Sequence, residues 1–160
     1  ACKAYDFLRE RVDETPIVAI GNSYGAYIAA LLSTQRPVAA LSIRVPAPYE
    51  DYGYNLSQFG RGHEDKQVMV WRETPVYYKG NKGFEAVHRF AGPIQVIEAE
   101  HDDRIPHQSV NNWRNAAPDP QKIDYHLMEG WSHSLGDDPQ RNAEFQNVVV
   151  KWLDNVAPQV

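Results

Sequence analysis

Ile17-Val18-Ala19-Ile20-Gly21-Asn22-Ser23-Tyr24-Gly25 is the stretch on which the fold turns. Its first four residues form an apolar run bounded by Pro16 and Gly21, a pattern that favours a short buried strand over a helix. From Tyr24 to Thr34 the chain is rich in Ala and Leu and reads as a helix that begins with no linker in between. Gly21–Gly25 is therefore a G-x-S-x-G pentapeptide set between a strand and a helix. A serine on so tight a turn projects Oγ above the sheet, and the flanking glycines let neighbouring backbone pass without a Cβ clash. The bland alternatives are an idle glycine-rich turn and a phosphate-binding turn; the latter lacks both a G-x-G-x-x-G pattern and a Walker lysine.

Working outward, Ala4, Phe7, Leu8 and Val12 recur at helical spacing and predict an amphipathic helix over 2–12. Downstream, Arg36-Pro37 ends the Ala-rich helix and Val38–Val45 reads as the next strand. A helix over Gly83–Phe90, a strand over Ile94–Ala99, a helix over 107–116 and a strand over Ile123–Met128 follow. A Gly- and Ser-containing loop occupies 130–137, and the last helix runs over Pro139–Asn155 with Phe145, Val148, Val149, Trp152 and Leu153 on one face. Strands alternating with helices predict the α/β class: a parallel sheet with right-handed crossovers and helices on both faces. One domain spans 1–160, and residues 46–80 read as a cap-like insertion over one end of the sheet. Its Tyr49, Tyr52, Tyr54, Phe59, Trp71, Tyr77 and Tyr78 either line an acyl or aryl pocket or pack the excursion. Glu64-Asp65-Lys66 reads as a solvated stretch.

Composition narrows the function classes. Of the 160 residues, 42% are hydrophobic and 11% aromatic, which excludes a disordered chain. Sixteen Lys+Arg against twenty-one Asp+Glu, with the basic residues scattered, leave no footprint for a phosphate backbone, so nucleic acid is not an expected partner. Cys2 is the single cysteine, which rules out an intrachain disulfide and a CxxC site and makes a reducing compartment, the cytoplasm, the default. No stretch approaches the roughly eighteen apolar residues of a membrane span. His101 and His107 flank Asp102 and Asp103, but no second group of ligands matches them, so no metal and no cofactor is expected.

A nucleophilic serine needs a base, and the base needs an orienting carboxylate. The third strand runs into Glu100-His101-Asp102-Asp103-Arg104-Ile105-Pro106, which places acids at the carboxyl end of a strand, where ligands bind in open α/β sheets. The fourth runs into Glu129-Gly130-Trp131-Ser132-His133. Asp102 and Asp103 are both candidates for the acid; His63, His88 and His126 read as surface or packed histidines.

The order Ser, Asp, His resembles that of the α/β-hydrolases, and within them small bacterial esterase-like or dienelactone-hydrolase-like members. Gly21–Gly25 is similar to the nucleophile elbow. Val96–Pro106 is similar to the strand-to-acid turn, whose aspartate lies four residues before a proline, here Asp102. Gly130-Trp131-Ser132-His133 is similar to the G-x-x-H turn, and the last helix to the family's C-terminal helix. The resemblance implies a serine hydrolase of small carboxylic esters, with thioesters and amides as alternatives, in which Ser23 attacks, His133 is the base and Asp102 orients it. The Tyr24 N–H is then an oxyanion donor; Trp131, next to the base, is a candidate for the substrate pocket; Asp103, next to Asp102, is expected to turn toward Arg104 or solvent; and with His133 as base the rate is expected to rise through pH ~6–8. The rival is a non-catalytic α/β interaction module or an inactive hydrolase fragment. The family's earlier strands, one of which supplies a second oxyanion N–H, do not precede the elbow here. The sheet edge at Ile17–Ile20 is thus expected to be completed either by a preceding segment of a longer hydrolase or by a second copy of the chain.

Overall fold

Parallel strands need long crossovers, and this chain supplies a helix for each of them. The structure, a computed structural model, describes residues 1–51, 66–136 and 138–156. Its elements are α1 (Cys2–Arg9), β1 (Val18–Asn22), α2 (Tyr24–Ser33), β2 (Ala40–Arg44), α3 (Lys66–Arg72), α4 (Lys82–Arg89), β3 (Ile94–His101), α5 (His107–Ala116), a 3-10 turn (Pro120–Lys122), β4 (Asp124–Ser132) and α6 (Pro139–Val156). The strands form one sheet in the order β1-β2-β3-β4, each neighbouring pair parallel, with Val18 opposite Ala40, Leu41 opposite Ile94 and Gln95 opposite Asp124. The α/β class expected from the sequence is what the chain adopts.

Every residue of β2 is buried, because alternate side chains enter the two layers that cover the sheet. Leu41 and Ile43 belong to the main core, where α2 packs on β1 and β2, α5 packs on β3, and α4 joins α2 to α5. Trp113 fills that layer, fully buried, with its ring centroid 5.0 Å from Phe84 and 6.4 Å from Tyr27. Ala40 points the other way, onto Trp152 and Val156 of α6. Along the Ala40 face the Ser42 hydroxyl donates to Gln95 Oε1 at 2.9 Å, and Gln95 Nε2 donates to Asp124 Oδ1 at 3.3 Å, so these buried polar groups are paired across three strands.

Several boundaries shift from the sequence expectation, two of them by three residues or more. The strand expected to stop at Met128 continues to Ser132, since the Gly130 N–H donates to Glu100 Oε2 at 2.6 Å and β3 itself extends to His101, which pairs with Ser132 beyond an irregularity after Ala99. The helix expected over 2–12 ends at Arg9, where the Arg9 guanidinium bonds the Thr15 carbonyl at 2.9 Å and the Asp13 carbonyl, drawing the chain into a turn with Asp13 at φ 46°.

Within 46–80, Ala47 is buried and the segment after α3 is strapped to α5: Ser109 Oγ donates to the Arg72 carbonyl, Asn112 Nδ2 donates to the Thr74 carbonyl, both at 2.9 Å, and the Val76 N–H donates to Asn112 Oδ1 at 3.2 Å. Tyr52, Tyr54, Phe59, His63, Glu64 and Asp65 lie outside the described residues. Among the described residues β1 pairs only with β2, and Ile20 is 53% exposed on the open side. No described helix is long and apolar enough to cross a membrane.

Candidate active site

The site forms at the carboxyl ends of the strands. Ser23 follows β1 at φ 55°, ψ −117°, a region that costs a non-glycine residue about 1–3 kcal/mol. Neighbouring backbone holds it there: the Ser23 N–H donates to the Arg44 carbonyl at 2.9 Å, and the Ser23 carbonyl accepts from the Ala26 N–H at 3.1 Å and the Ala47 N–H at 3.3 Å. Gly21 is required for this turn, because a Cβ there would lie 2.4 Å from the Gly25 carbonyl oxygen and 2.5 Å from Ala26 Cα. The expectation that both flanking glycines serve close approach is corrected at Gly25, where among the described residues a Cβ would meet nothing within 4 Å.

Asp102 lies just past β3 with its side chain 3% exposed. Its Oδ1 accepts from the Arg104 and Ile105 N–H groups, both at 2.8 Å, which fixes the carboxylate on its own turn. Burial pushes this carboxyl up, but the hydrogen bonds from His133, Ile105 and Arg104, together with the His133 charge, hold it below the usual carboxylate range. Asp103 points away, 77% exposed beside Arg104 at 4.0 Å.

His133 follows β4 and crosses back over the sheet. Its Nδ1 lies 2.9 Å from Asp102 Oδ2 and 3.0 Å from Oδ1, and its Nε2 lies 3.0 Å from Ser23 Oγ. A carboxylate on Nδ1 keeps the proton there, which leaves Nε2 to accept the Ser23 hydroxyl proton. The structure thus brings together Ser23, Asp102 and His133 in one hydrogen-bonded chain.

Tyr24 opens α2, so its N–H is among the first of the helix, which have no carbonyl four residues earlier in the helix to bond and favour negative charge. Tyr24 is 45% exposed; its ring meets Tyr49 edge-on at 5.4 Å, and Tyr49 in turn meets Tyr27 at 5.2 Å. Of the other described aromatics of the excursion, Tyr78 stacks on His88 at 3.6 Å and Tyr77 stands in solvent, 89% exposed. Trp131 is buried, with the Arg44 and Arg141 guanidiniums 5.8 and 5.6 Å from its ring. His101 is exposed beside Glu100 at 3.8 Å, and His107 Nδ1 lies 2.6 Å from buried Glu98. Among the described residues no group of three or more His, Cys, Asp or Glu could hold a metal ion.

Three buried charged residues near the site escaped the sequence reading. Arg44 lies against the loop of Ser132 and His133, its guanidinium pushed down by burial and pulled up by Asp102. Arg72 is buried between Tyr49 and the acid turn, donating to the Arg104 carbonyl at 3.1 Å, and burial lowers it likewise. Glu98 accepts from the Tyr125 hydroxyl at 2.7 Å; burial, that hydrogen bond and the Glu98 charge push the phenol up to about 12. The legible signal in each case is an ionisable residue inside or beside an apolar element.

A model of the prolyl oligopeptidase family matches residues 2–159. The chain belongs to the prolyl oligopeptidase family. The fold of this prolyl oligopeptidase family chain is shared by solved structures, among them proteins described as an alpha-beta serine hydrolase homologue and an alpha/beta hydrolase enzyme. An alpha-beta serine hydrolase homologue from Coxiella burnetii is 21% identical, with 95% of this chain covering 56% of that one at a TM-score of 0.62. The esterase domain of a Rhodothermus marinus protein is 16% identical, with 95% of this chain covering 66% of that one at a TM-score of 0.65. A monoacylglycerol lipase from Paleococcus ferrophilus is 15% identical, with 94% of this chain covering 72% of that one at a TM-score of 0.61. None of the curated proteins compared with the chain matches it.

Proposed function

We propose that this chain carries the reacting residues of a serine hydrolase that acts on small carboxylic esters through an acyl-enzyme. The observation that carries the reading is the continuous hydrogen-bonded path from Ser23 Oγ through His133 to Asp102, with links of 3.0 and 2.9 Å. Ser23 Oγ forms a bond to the acyl carbon as its proton passes to His133 Nε2. The tetrahedral adduct collapses, the alkoxide departs with the proton from Nε2 as an alcohol, and Ser23 is left acylated. Water then attacks the acyl carbon, His133 takes its proton and returns it to Ser23 Oγ, and the carboxylic acid is released. Asp102 keeps the imidazole in the required tautomer and stabilises the imidazolium. The Tyr24 N–H donates to the oxyanion.

The family match favours a second leaving group, the amine of a peptide bond, which the same residues serve by protonating nitrogen instead of oxygen. The side of β1 that has no strand partner among the described residues supports a further part of the reading: a strand from the same polypeptide or from a second copy covers it and brings the other oxyanion donor. Loss of one such donor costs about 10²–10³ in kcat.

A fluorophosphonate probe tests the assignment. Labelling of the wild type that vanishes in Ser23→Ala and His133→Gln supports it; folded wild type that stays unlabelled sinks it. Rates on p-nitrophenyl acetate against a peptide p-nitroanilide then rank the two leaving groups.

A further inference from the structure

One buried cation has no part in the steps above. Arg44 ends β2 fully buried, on the face covered by α6, where its Cζ lies 5.8 Å from the Trp131 ring and 6.0 Å from the Phe145 ring. Nη1 donates to Asn22 Oδ1 and to the His133 carbonyl, both at 2.9 Å, and Nη2 donates to the Ser132 carbonyl at 3.2 Å. Asn22 is the residue before the nucleophile, and Ser132 and His133 are the base loop, so one rigid fork spans two elements that the chain itself joins only through three crossovers. A guanidinium can set such a relation because its donors are fixed in a plane, which an ammonium on a flexible stem cannot reproduce.

The site bears visible costs. An arginine is desolvated there, and among the described residues its Nε has no hydrogen-bond partner. The next residue, Val45, takes φ 38°, a region that β-branched side chains avoid. The Arg44 carbonyl in turn receives the Ser23 N–H at 2.9 Å, so the strain and the fork meet the nucleophile through the same residue. Backbone outliers persist where their surroundings over-determine them, and they cluster at functional sites. A residue that merely filled this space would do so better as a hydrocarbon, since exchanging a buried charge for packed apolar atoms is often neutral or stabilising.

We infer that Arg44 is a positioning residue, an inference that rests on Ser23 and His133 being nucleophile and base: its guanidinium ties the strand end before Ser23 to the base loop and so holds His133 Nε2 within hydrogen-bond distance of Ser23 Oγ. It touches no reacting atom. Its contribution is the alignment of two groups that do.

The test compares Arg44→Met, Arg44→Lys and Asn22→Ala with the wild type. Asn22 is exposed, so its variant leaves the core intact. Three quantities are measured: the second-order rate of fluorophosphonate labelling, the imidazole resonances of His133 in protein carrying 15N-histidine, and the melting temperature as a control for folding. Folded Arg44→Met is expected to label about 100-fold more slowly, the loss that a misplacement of about 1 Å produces. Arg44→Lys recovers part of that rate, and Asn22→Ala loses less because the two carbonyl contacts remain. The His133 resonances shift or broaden in Arg44→Met, while those of His88 and His126 hold. Wild-type labelling with unchanged His133 resonances in folded Arg44→Met overturns the inference. If Arg44→Met does not fold, the same pair of results in both Arg44→Lys and Asn22→Ala overturns it. Should the wild type itself fail to label, the proposed function falls, and the His133 resonances still decide whether Arg44 holds the ring.

Discussion

Replacing Gly21 by alanine should damage stability and reactivity together, whereas the same change at Gly25 should damage neither. A Cβ on Gly21 would stand 2.4 Å from the Gly25 carbonyl oxygen, 2.5 Å from Ala26 Cα and 2.6 Å from Ala26 N, all of them backbone atoms. Non-bonded heavy atoms settle at about 3.5 Å or more, so β1 and the first turn of α2 must part by about 1 Å. Overpacking of this kind costs about 1–3 kcal/mol, and the upper end applies here because no side chain can rotate out of the way. The displaced segment carries Ser23, so labelling by a fluorophosphonate should slow by about 100-fold. A Cβ on Gly25 would meet nothing within 4 Å among the described residues, and a helical glycine exchanged for alanine gains up to about 0.5–1 kcal/mol. Urea denaturation and labelling rates, run on both variants side by side, check the contrast. If Gly21→Ala matches the wild type in both measurements, or if the two variants respond alike, the steric reasoning is wrong.

Two further changes probe the same residues from other directions. Ser23→Gly should abolish labelling while raising stability by about 1 kcal/mol, since it releases the strain at φ 55° and gives back part of that gain to the freer unfolded chain; a melting temperature below that of Ser23→Ala contradicts this. Asp102 is held below its ordinary range in the folded state, so its contribution is complete above the unfolded value of about 3.9 and disappears as the pH falls through the folded value. The gap in unfolding free energy between wild type and Asp102→Asn should therefore be open at pH ~6 and close below pH ~4, and a gap independent of pH in urea titrations rules the linkage out.

The helical and strand pattern was legible wherever burial and local punctuation agreed. His107–Ala116, Pro139–Val156 and Tyr24–Ser33 fall within a residue or so of their expected bounds, because prolines or the elbow mark their starts and apolar periodicity runs through them. The end of β4 was not legible. Glu129-Gly130 breaks the alternation of apolar residues, and what carries the strand onward is a contact from Glu100 on the neighbouring strand, which no local pattern records. For the candidate site, Ser23, Asp102 and His133 stood out because each follows a strand in a fixed order. Arg44 sat in plain view at the end of an apolar strand, yet its meaning depends on the carbonyls of Ser132 and His133, far along the chain.

The contact between Ser23 and His133 joins residues 110 apart in sequence, one after the first strand of the sheet and the other after the last. With strands about 4.8 Å apart, those strands lie roughly 14 Å from each other, and only a complete, correctly registered sheet lets the loop reach across. Contacts of such long range are the late and slow ones in folding. If Ser23 is the nucleophile proposed above, its reactivity is also a chronometer of assembly: a newly made or refolding chain would gain it only when the final strand docks, and a partly folded one, however much helix it contains, would stay unlabelled.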